Sequence, residues 1–337
     1  MAASIEDVAR RAGVSIATVS RALRGLPDVA STTRSRVLEA AAALDYVASP
    51  FAARLASGRT TSVGVVVPFV NRWFFSEVLD TFESALRLGG FDLLLYNLGD
   101  EQGRARFFDV MPMRKRVDGV LVVSLVLTDE EIGALQSLNR PVGLLGLARE
   151  GFVSTRIDDI ASARTAVTHL IERGHRRIGL IGGDTDDAMR FTPPLHRVDG
   201  YREALIGAGI VPDPLLEVLG YFTSKGGEDA CRTLMALPDP PTAIFAESDE
   251  MAYGAMLSLR RLKLRVPEDV AIIGFDNHPT AELMDLSTIC QPVREQAQDV
   301  ATRLLASVTS GVRSAEDLVL PTELIVRGST DPSRTVY

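Results

Sequence analysis

The chain has little of what most reactive or membrane-bound proteins need. Its two cysteines, Cys231 and Cys290, are isolated, so neither a disulfide framework nor a metal knuckle is expected, and a reducing, cytoplasmic setting is the simple expectation. The four histidines, His169, His175, His196 and His278, have no metal-ligand spacing. No apolar run approaches the roughly 18 residues of a membrane span. The opening MAASIEDVAR also lacks the basic-then-apolar pattern of a secretory signal, so no membrane partner is expected. Neither G-x-G-x-x-G nor G-x-x-x-x-G-K-[ST] occurs, and the glycines of GLIGGD (179–184) read as the exit of a buried strand. A G-x-S-x-G elbow is missing too. These absences argue against an enzyme and leave no cofactor or metal to expect.

What is present is ordinary in bulk and uneven in charge. The 337 residues, 46% hydrophobic and 24% charged, suit two to three globular domains. The net charge of −8 is not evenly spread. Residues 1–60 hold eight arginines against five acids, whereas the remaining 277 hold 28 bases against 39 acids. A basic head on an acidic body points to a polyanion met by the head.

The head reads as three short helices. In SIEDVARRAG (4–13), Ser4 suits an N-cap and the acids at 6 and 7 suit the first turn. Ile5, Val8, Ala9 and Ala12 form one apolar face. Gly13 permits the left-handed exit, Val14 can plug the corner, and Ser15 can cap a second helix. On that helix Val19, Ala22 and Leu23 point inward, while Ala17, Ser20, Arg21 and Arg24 share the outer face. A third helix over 32–46 places Val37, Leu38, Ala41 and Leu44 inside. Two helices around a tight glycine turn, with a third in support, give helix-turn-helix geometry. A bundle with an accidental basic face would not explain why the second helix is so short-chained outside. Small residues let a helix backbone sink into a major groove, where Arg21 can reach a guanine edge or a phosphate.

The stretch IEDVARRAGVSIATVSRAL (5–23) resembles the N-terminal signature of the LacI/GalR transcriptional regulators, and the resemblance runs over essentially the whole chain. It implies that Ile16, Ala17 and Arg21 read base edges in double-stranded operator DNA. It further implies that Ser15, Thr18 and Ser20 hold phosphates, that Ser4 and Ile5 touch the backbone, and that Arg24 joins the same face. Where the family caps its third helix with a hydroxyl, Ala30 stands, so the cap is expected at Ser31. Residues 1–48 form the expected DNA-binding domain and 49–60 a hinge. Physically, 49–60 is a tether that holds one turn or two of potential helix, with Ser49 and Pro50 at its start and Gly58 at its exit. The resemblance makes Leu55 the wedge that kinks the duplex from the minor groove, although the family's usual proline is Ala48 here.

From residue 61 strands and helices alternate: SVGVVVPFV, FDLLLYNLG, DGVLVVSL, PVGLLGL, RIGLIGG, TAIFAES and VAIIGFD, with helices such as 77–88, 159–173, 196–208, 225–236 and 249–262. Continuous apolar strands joined by helices predict doubly wound parallel sheets. The expected α/β effector and dimerisation domain spans 61–330. Its first lobe takes about 61–158 and 290–320, and its second about 159–289 and 321–330. This resembles the two-lobed periplasmic-binding-protein-like fold, with ligand at the strand carboxyl ends between the lobes. The resemblance places effector contacts at Arg197, Phe222, Ser248 and Asp249 in the second lobe, and strand-end position adds Asp276, whose carboxylate can accept from adjacent hydroxyls, with Trp73 and Phe74 at the end of the first strand. Phe75, Phe245 and Phe275 read as core, and Asp249 alternatively as a helix cap. Gly146 stands where several sugar binders of the family carry Asp. The expectation is a homodimeric repressor of carbohydrate-utilisation genes, released from a palindromic operator by a sugar or oligosaccharide. The alternative is a regulator with a nucleobase or phosphorylated metabolite as co-repressor. No heptad tail follows ELIVRGST, which favours a dimer over a tetramer.

Overall fold

Helix α1 (Ile5–Ala12) begins in a reciprocal cap: the Ser4 hydroxyl accepts from the Asp7 amide at 3.3 Å and the Asp7 carboxylate accepts from the Ser4 amide at 3.0 Å. It ends at Gly13, whose φ of +65° is the left-handed turn that the sequence predicts. Ser15 then caps α2 (Ile16–Leu23) by accepting from the Thr18 amide at 3.1 Å. Helix α3 (Ser31–Ala43) completes the unit. This is a computed structural model, and it describes residues 3–23, 27–46, 59–187, 189–312 and 315–334.

Two sequence expectations for α3 fail. The N-cap position is Ala30, without a side-chain bond, so Ser31 is the first helical residue and not the cap. Leu38 is 49% exposed, because the buried stripe runs Val37, Ala40, Ala41 and Leu38 lies a third of a turn off it. The small core joins those residues to Val8, Ala12, Val19 and Ala22.

Residues 62 onward form a separate unit with two six-stranded sheets. The first contains β1 (Ser62–Val67), β2 (Asp92–Asn97), β3 (Gly119–Val123), β4 (Val142–Leu145), β5 (Val153–Ile157) and β11 (Asp317–Leu320), in the order β11-β5-β4-β3-β1-β2, all parallel. Helices α4 (Trp73–Leu88), α5 (Glu101–Val110), α6 (Asp129–Gln136) and α12 (Val293–Ser310) belong to this lobe. The second sheet contains β6 (Ile178–Gly182), β7 (Glu217–Leu219), β8 (Ala243–Ala246), β9 (Ala271–Asp276), β10 (Ser287–Cys290) and β12 (Glu323–Ile325), in the order β12-β10-β9-β8-β6-β7. Only the pairing of β12 with β10 is antiparallel there. Helices α7 (Asp159–Glu172), α8 (Thr192–Gly207), α9 (Ser224–Met235), α10 (Asp249–Arg261) and the short α11 (Thr280–Leu283) go with it.

The central strands β1, β3, β4, β6, β8 and β9 are buried on both faces, as near-continuous apolar runs require. The chain passes between lobes at 157–159, 290–293 and 320–323. All three passages lie at the carboxyl ends of strands, where a doubly wound fold leaves its crevice. Helix α4 begins at Trp73, four residues earlier than the expected 77, and α8 at Thr192, with Pro193 and Pro194 filling its first turn. Among the described residues no helix is long and apolar enough to cross a membrane.

Candidate DNA interface and interlobe cavity

The outer face of α2 is short-chained and open. Ser15, Ala17 and Arg21 are exposed, Ile16 is 46% exposed, and Thr18 and Ser20 are half-buried. The hydroxyls of Ser15 and Thr18 lie 2.9 Å apart at the helix start. Arg21 meets Asp28 at 3.5 Å across solvent, a loose pairing it can exchange for a base edge or phosphate. Ser4 sits in the α1 capping box, and Ile5 rests half-buried against the small core. Arg24 and Leu55 lie outside the described residues, as does most of the segment 49–60.

The effector unit holds a cavity, partly open to solvent, with walls from both lobes. The second lobe supplies a buried ionic cluster centred on Arg197. Its Nε donates to Asp159 at 2.8 Å, its Nη1 donates to the Glu247 carbonyl and stands 4.0 Å from Asp276, and its guanidinium lies 3.5 Å over the Phe275 ring. Asp276 also accepts from the Gln291 amide. Burial pushes the Asp276 carboxyl above its usual range, against the pull of Arg197 and Gln291. Burial likewise pushes Glu247 up to about 8, although the Gly183 amide donates to it at 2.9 Å. At the rim, burial raises Glu250.

The facing wall is aromatic. Phe74, Phe75, Phe191 and Phe222 form a chain of ring contacts, with centroids 5.3 Å, 5.8 Å and 5.3 Å apart in turn. Arg72 covers it, with its guanidinium 4.0 Å from the Phe69 centroid and its Nη2 donating across the lobes to the Tyr221 carbonyl at 3.3 Å. A second-lobe loop is strapped to the first lobe beside this wall. Leu125 and Phe191 form a β-bridge, and the Val126 amide donates to the Arg190 carbonyl at 2.9 Å. Buried Arg104 fastens the strap by donating to Glu131 at 2.7–2.8 Å, to the Val126 carbonyl at 2.7 Å and to the Met189 carbonyl.

Of the expected effector contacts, Phe74, Arg197, Phe222, Ser248 and Asp276 line the cavity. Ser248 is at the same time the N-cap of α10, accepting from the Met251 amide at 3.3 Å. Two do not line it. Trp73 opens α4, not the strand end, and its ring packs 5.1 Å from His278, because one helical residue turns it away from Phe74. Asp249 is fully buried and accepts from the Thr288 hydroxyl and the His278 amide, both at 2.7 Å. It does not line the cavity, and the helix cap is Ser248. Burial and then Asp276 raise its carboxyl well above the ordinary range. Phe75, expected as core, is buried and also lines the cavity. Arg72, Ser124, Asp159, Phe191, Glu250, Gln291 and Gln296 are lining residues that sequence reasoning missed. The Pro193–Pro194 pair is a helix-start signal that would have pointed to Phe191 as the cap, while nothing local points to the two glutamines. Among the described residues no His, Cys, Asp or Glu cluster could hold a metal.

Residues 4–49 match the model of the bacterial regulatory proteins, lacI family, and residues 167–330 match a periplasmic binding protein-like domain. The chain is 36% identical to the HTH-type transcriptional repressor CytR of Escherichia coli K12, over 98% of this chain and 96% of that one. A transcriptional regulator CelR–cellobiose complex superposes with a TM-score of 0.71 at 33% identity, covering 97% of this chain and 99% of the other. The lac repressor dimer, bound to operator and the anti-inducer ONPF, gives 0.85 at 25% identity over 98% and 99%. The chain belongs to the lacI family of bacterial regulatory proteins: it is a DNA-binding transcriptional repressor and not an enzyme.

Proposed function

We propose that this repressor binds a near-palindromic operator as a homodimer and is released by an uncharged sugar held between its lobes. One observation carries the sugar: Arg197 with Asp159 and Asp276 faces an aromatic wall across one cavity. Carboxylates and a guanidinium grip adjacent hydroxyls, and ring faces cover the apolar side of a pyranose. Charge supports the same choice. Arg72 and Arg197 are matched by Asp159, Glu250 and Asp276 in the walls, which leaves no surplus cation for a phosphate. The cellobiose in the CelR complex is in keeping with it.

In this reading Ile16, Ala17 and Arg21 read bases, while Ser4, Ile5, Ser15, Thr18, Ser20 and Arg24 fix the register on phosphates. Leu55 wedges the minor groove from the hinge 49–60. Closure of the lobes on a ligand is relayed through that segment as a differential affinity for the DNA-binding arrangement. The dimer is supported by the lac repressor assembly and by a second-lobe groove of about 850 Å³. Met256, Leu257, Leu264 and Met284 line it, with Arg260 and Lys263 at its rim. Leu257 and Met284 are each 40% exposed there.

The aromatic wall would also stack a nucleobase, which keeps the co-repressor alternative testable. A thermal-shift screen of sugars, nucleobases and sugar phosphates, paired with operator binding by anisotropy on a selected operator, separates them. The expected result is a sugar that raises the melting temperature and weakens operator binding. A base or sugar phosphate that raises it and tightens operator binding would reverse the assignment.

A further inference from the structure

The lobes also touch through a pair of rings that the effector cavity does not use. Trp73, the first residue of α4, packs 5.1 Å from half-buried His278 of the second lobe, with the ring planes tilted by 57°. Tyr253 of α10 meets the same imidazole edge-on at 5.8 Å. The tautomer of His278 is fixed locally: the Thr280 amide, at the start of α11, donates to Nδ1 at 3.0 Å, which leaves the proton on Nε2. A second proton would have to enter at Nδ1, against that N–H and between two aromatic rings. Burial accordingly holds the imidazole below its ordinary 6.5, and Glu77, one turn along α4 from Trp73, pulls the other way. Arg294 of α12 holds Glu77 at 2.8 Å and Asp80 at 3.6 Å. The other titratable and charged groups on neighbouring elements are Asp249, Glu250, Asp276 and Arg327. Asp249 accepts from the His278 amide at 2.7 Å, and Arg327 donates to Asn277 at 2.9 Å. The seam is also incompletely satisfied, since the Tyr253 hydroxyl is buried with no hydrogen-bond partner among the described residues.

We propose that the Trp73–His278 contact is a proton-sensitive clamp between the lobes, closed while the imidazole is neutral and released when it takes up a second proton. Protonation costs the bond from Thr280 and creates an imidazolium that needs water, which an opened seam supplies. Opening also returns the Tyr253 hydroxyl to solvent. Closure is therefore strongest above the ordinary value of 6.5, which the opened ring recovers, and weakens as pH falls below it. The start of α4 carries the clamp to the effector site, because Arg72 donates across the lobes to the Tyr221 carbonyl and Phe74 lines the cavity. Its effect on operator binding rests on the lobe-to-hinge relay proposed above, whereas its opening does not.

Trp73 is the only tryptophan, so its emission reports the clamp directly. The test titrates the full chain from pH ~8 to pH ~5.5, with circular dichroism to follow the fold. The wild-type emission maximum is expected to move to the red with a midpoint below 6.5. His278→Gln should abolish that shift. Glu77→Gln keeps the side-chain shape, removes the charge that favours the imidazolium, and should move the midpoint to lower pH. Burial lifts Glu247 and Asp276 as well, so the difference between wild type and His278→Gln is the quantity read. Affinity for a selected operator, by anisotropy, is expected to change about fivefold across the titration relative to His278→Gln. Emission that dims without a red shift would mean that the proton enters a closed seam, and would overturn the clamp. A red shift that persists in His278→Gln would overturn it as well. A red shift confined to the wild type, with no change in operator affinity, would uphold the clamp and overturn the relay to the hinge.

Discussion

The two surfaces proposed above for operator and effector keep their polar groups in opposite ways. On α2 the polar side chains stand in water, and Arg21 and Asp28 are 55% and 53% exposed at a loose 3.5 Å. In the cavity Arg197 and Asp159 are 4% and 6% exposed and bonded at 2.8 Å. The contrast fits the partners proposed for each. DNA arrives with its own charge and counterions to release, so the protein can leave its donors hydrated until then. A small neutral ligand brings no charge, so its site must hold desolvated, oriented groups in advance, balanced among themselves. Function and stability are therefore separable at the first surface and fused at the second. Substitutions at the two surfaces should divide accordingly.

The largest effect is expected at the centre of the cavity. Arg197→Ala leaves Asp159 and Asp276 buried without their cation, which should cost about 3–5 kcal/mol of unfolding free energy. The surviving folded protein should bind operator and ignore effector. Adding Asp159→Ala should recover part of the stability and none of the response. Equal stability of wild type and Arg197→Ala in urea unfolding would show that this ion cluster is not fused to the fold.

Next is Arg104, which ties the second-lobe strap to the first lobe beside Phe191. Arg104→Met keeps the volume and loses bonds to Glu131 and to the Met189 and Val126 carbonyls, an expected cost of about 2–3 kcal/mol. Hydrogen exchange at Val126, whose amide donates to the Arg190 carbonyl, should quicken, and unchanged protection there would dissociate Arg104 from the strap.

A pH measurement sharpens the same contrast. Glu247 has an ordinary pKa of 4.5 and in the fold is pushed up to about 8 by burial. The folded state thus holds a proton that the unfolded chain releases. The stability that Glu247 permits is greatest below pH 4.5, falls as pH rises toward 8, and is flat beyond. Relative to Glu247→Gln, the wild type should lose about 2 kcal/mol between pH ~6 and pH ~8. Parallel stability curves for the two proteins over that range would contradict the burial argument.

The same division decides what the sequence could reveal. The helices of the head were legible because their signals are local: Ser4 and Asp7, Gly13, and Ser15 with Thr18 act within four residues. Strand ends were legible as well, since a continuous apolar run stops at Asp276 and another at Ala246, just before Ser248. Asp159, Gln291 and Gln296 were not, because each borders a passage between lobes, and only the assembled sheets bring them to Arg197, Asp276 and one another. Trp73, Asp249 and Leu38 mark a different limit. Leu38 and Asp249 were set on the correct elements and Trp73 at a strand end that lies six residues earlier, at Val67, but a helix turns by about 100° per residue. That phase sent Trp73 to His278 and Leu38 to water.

The smallest effect on stability is expected where the effect on function is sharp. Arg21→Ala removes a side chain that is half exposed and paired across solvent, and such pairs contribute about 0–1 kcal/mol. It also lies on the outer face of α2, opposite Val19 and Ala22, so its loss opens no cavity in the small core. Unfolding free energy should therefore move by no more than about 0.5 kcal/mol. Operator affinity should fall by about 1–3 kcal/mol, with preference blurred at one base pair of each half-site. Selection of binding sites from a random library measures the second quantity, and urea unfolding the first. A variant that keeps the wild-type sequence preference would remove Arg21 from base reading. One that loses stability as Arg197→Ala does would end the distinction between an exposed, hydrated DNA face and a buried, balanced effector site.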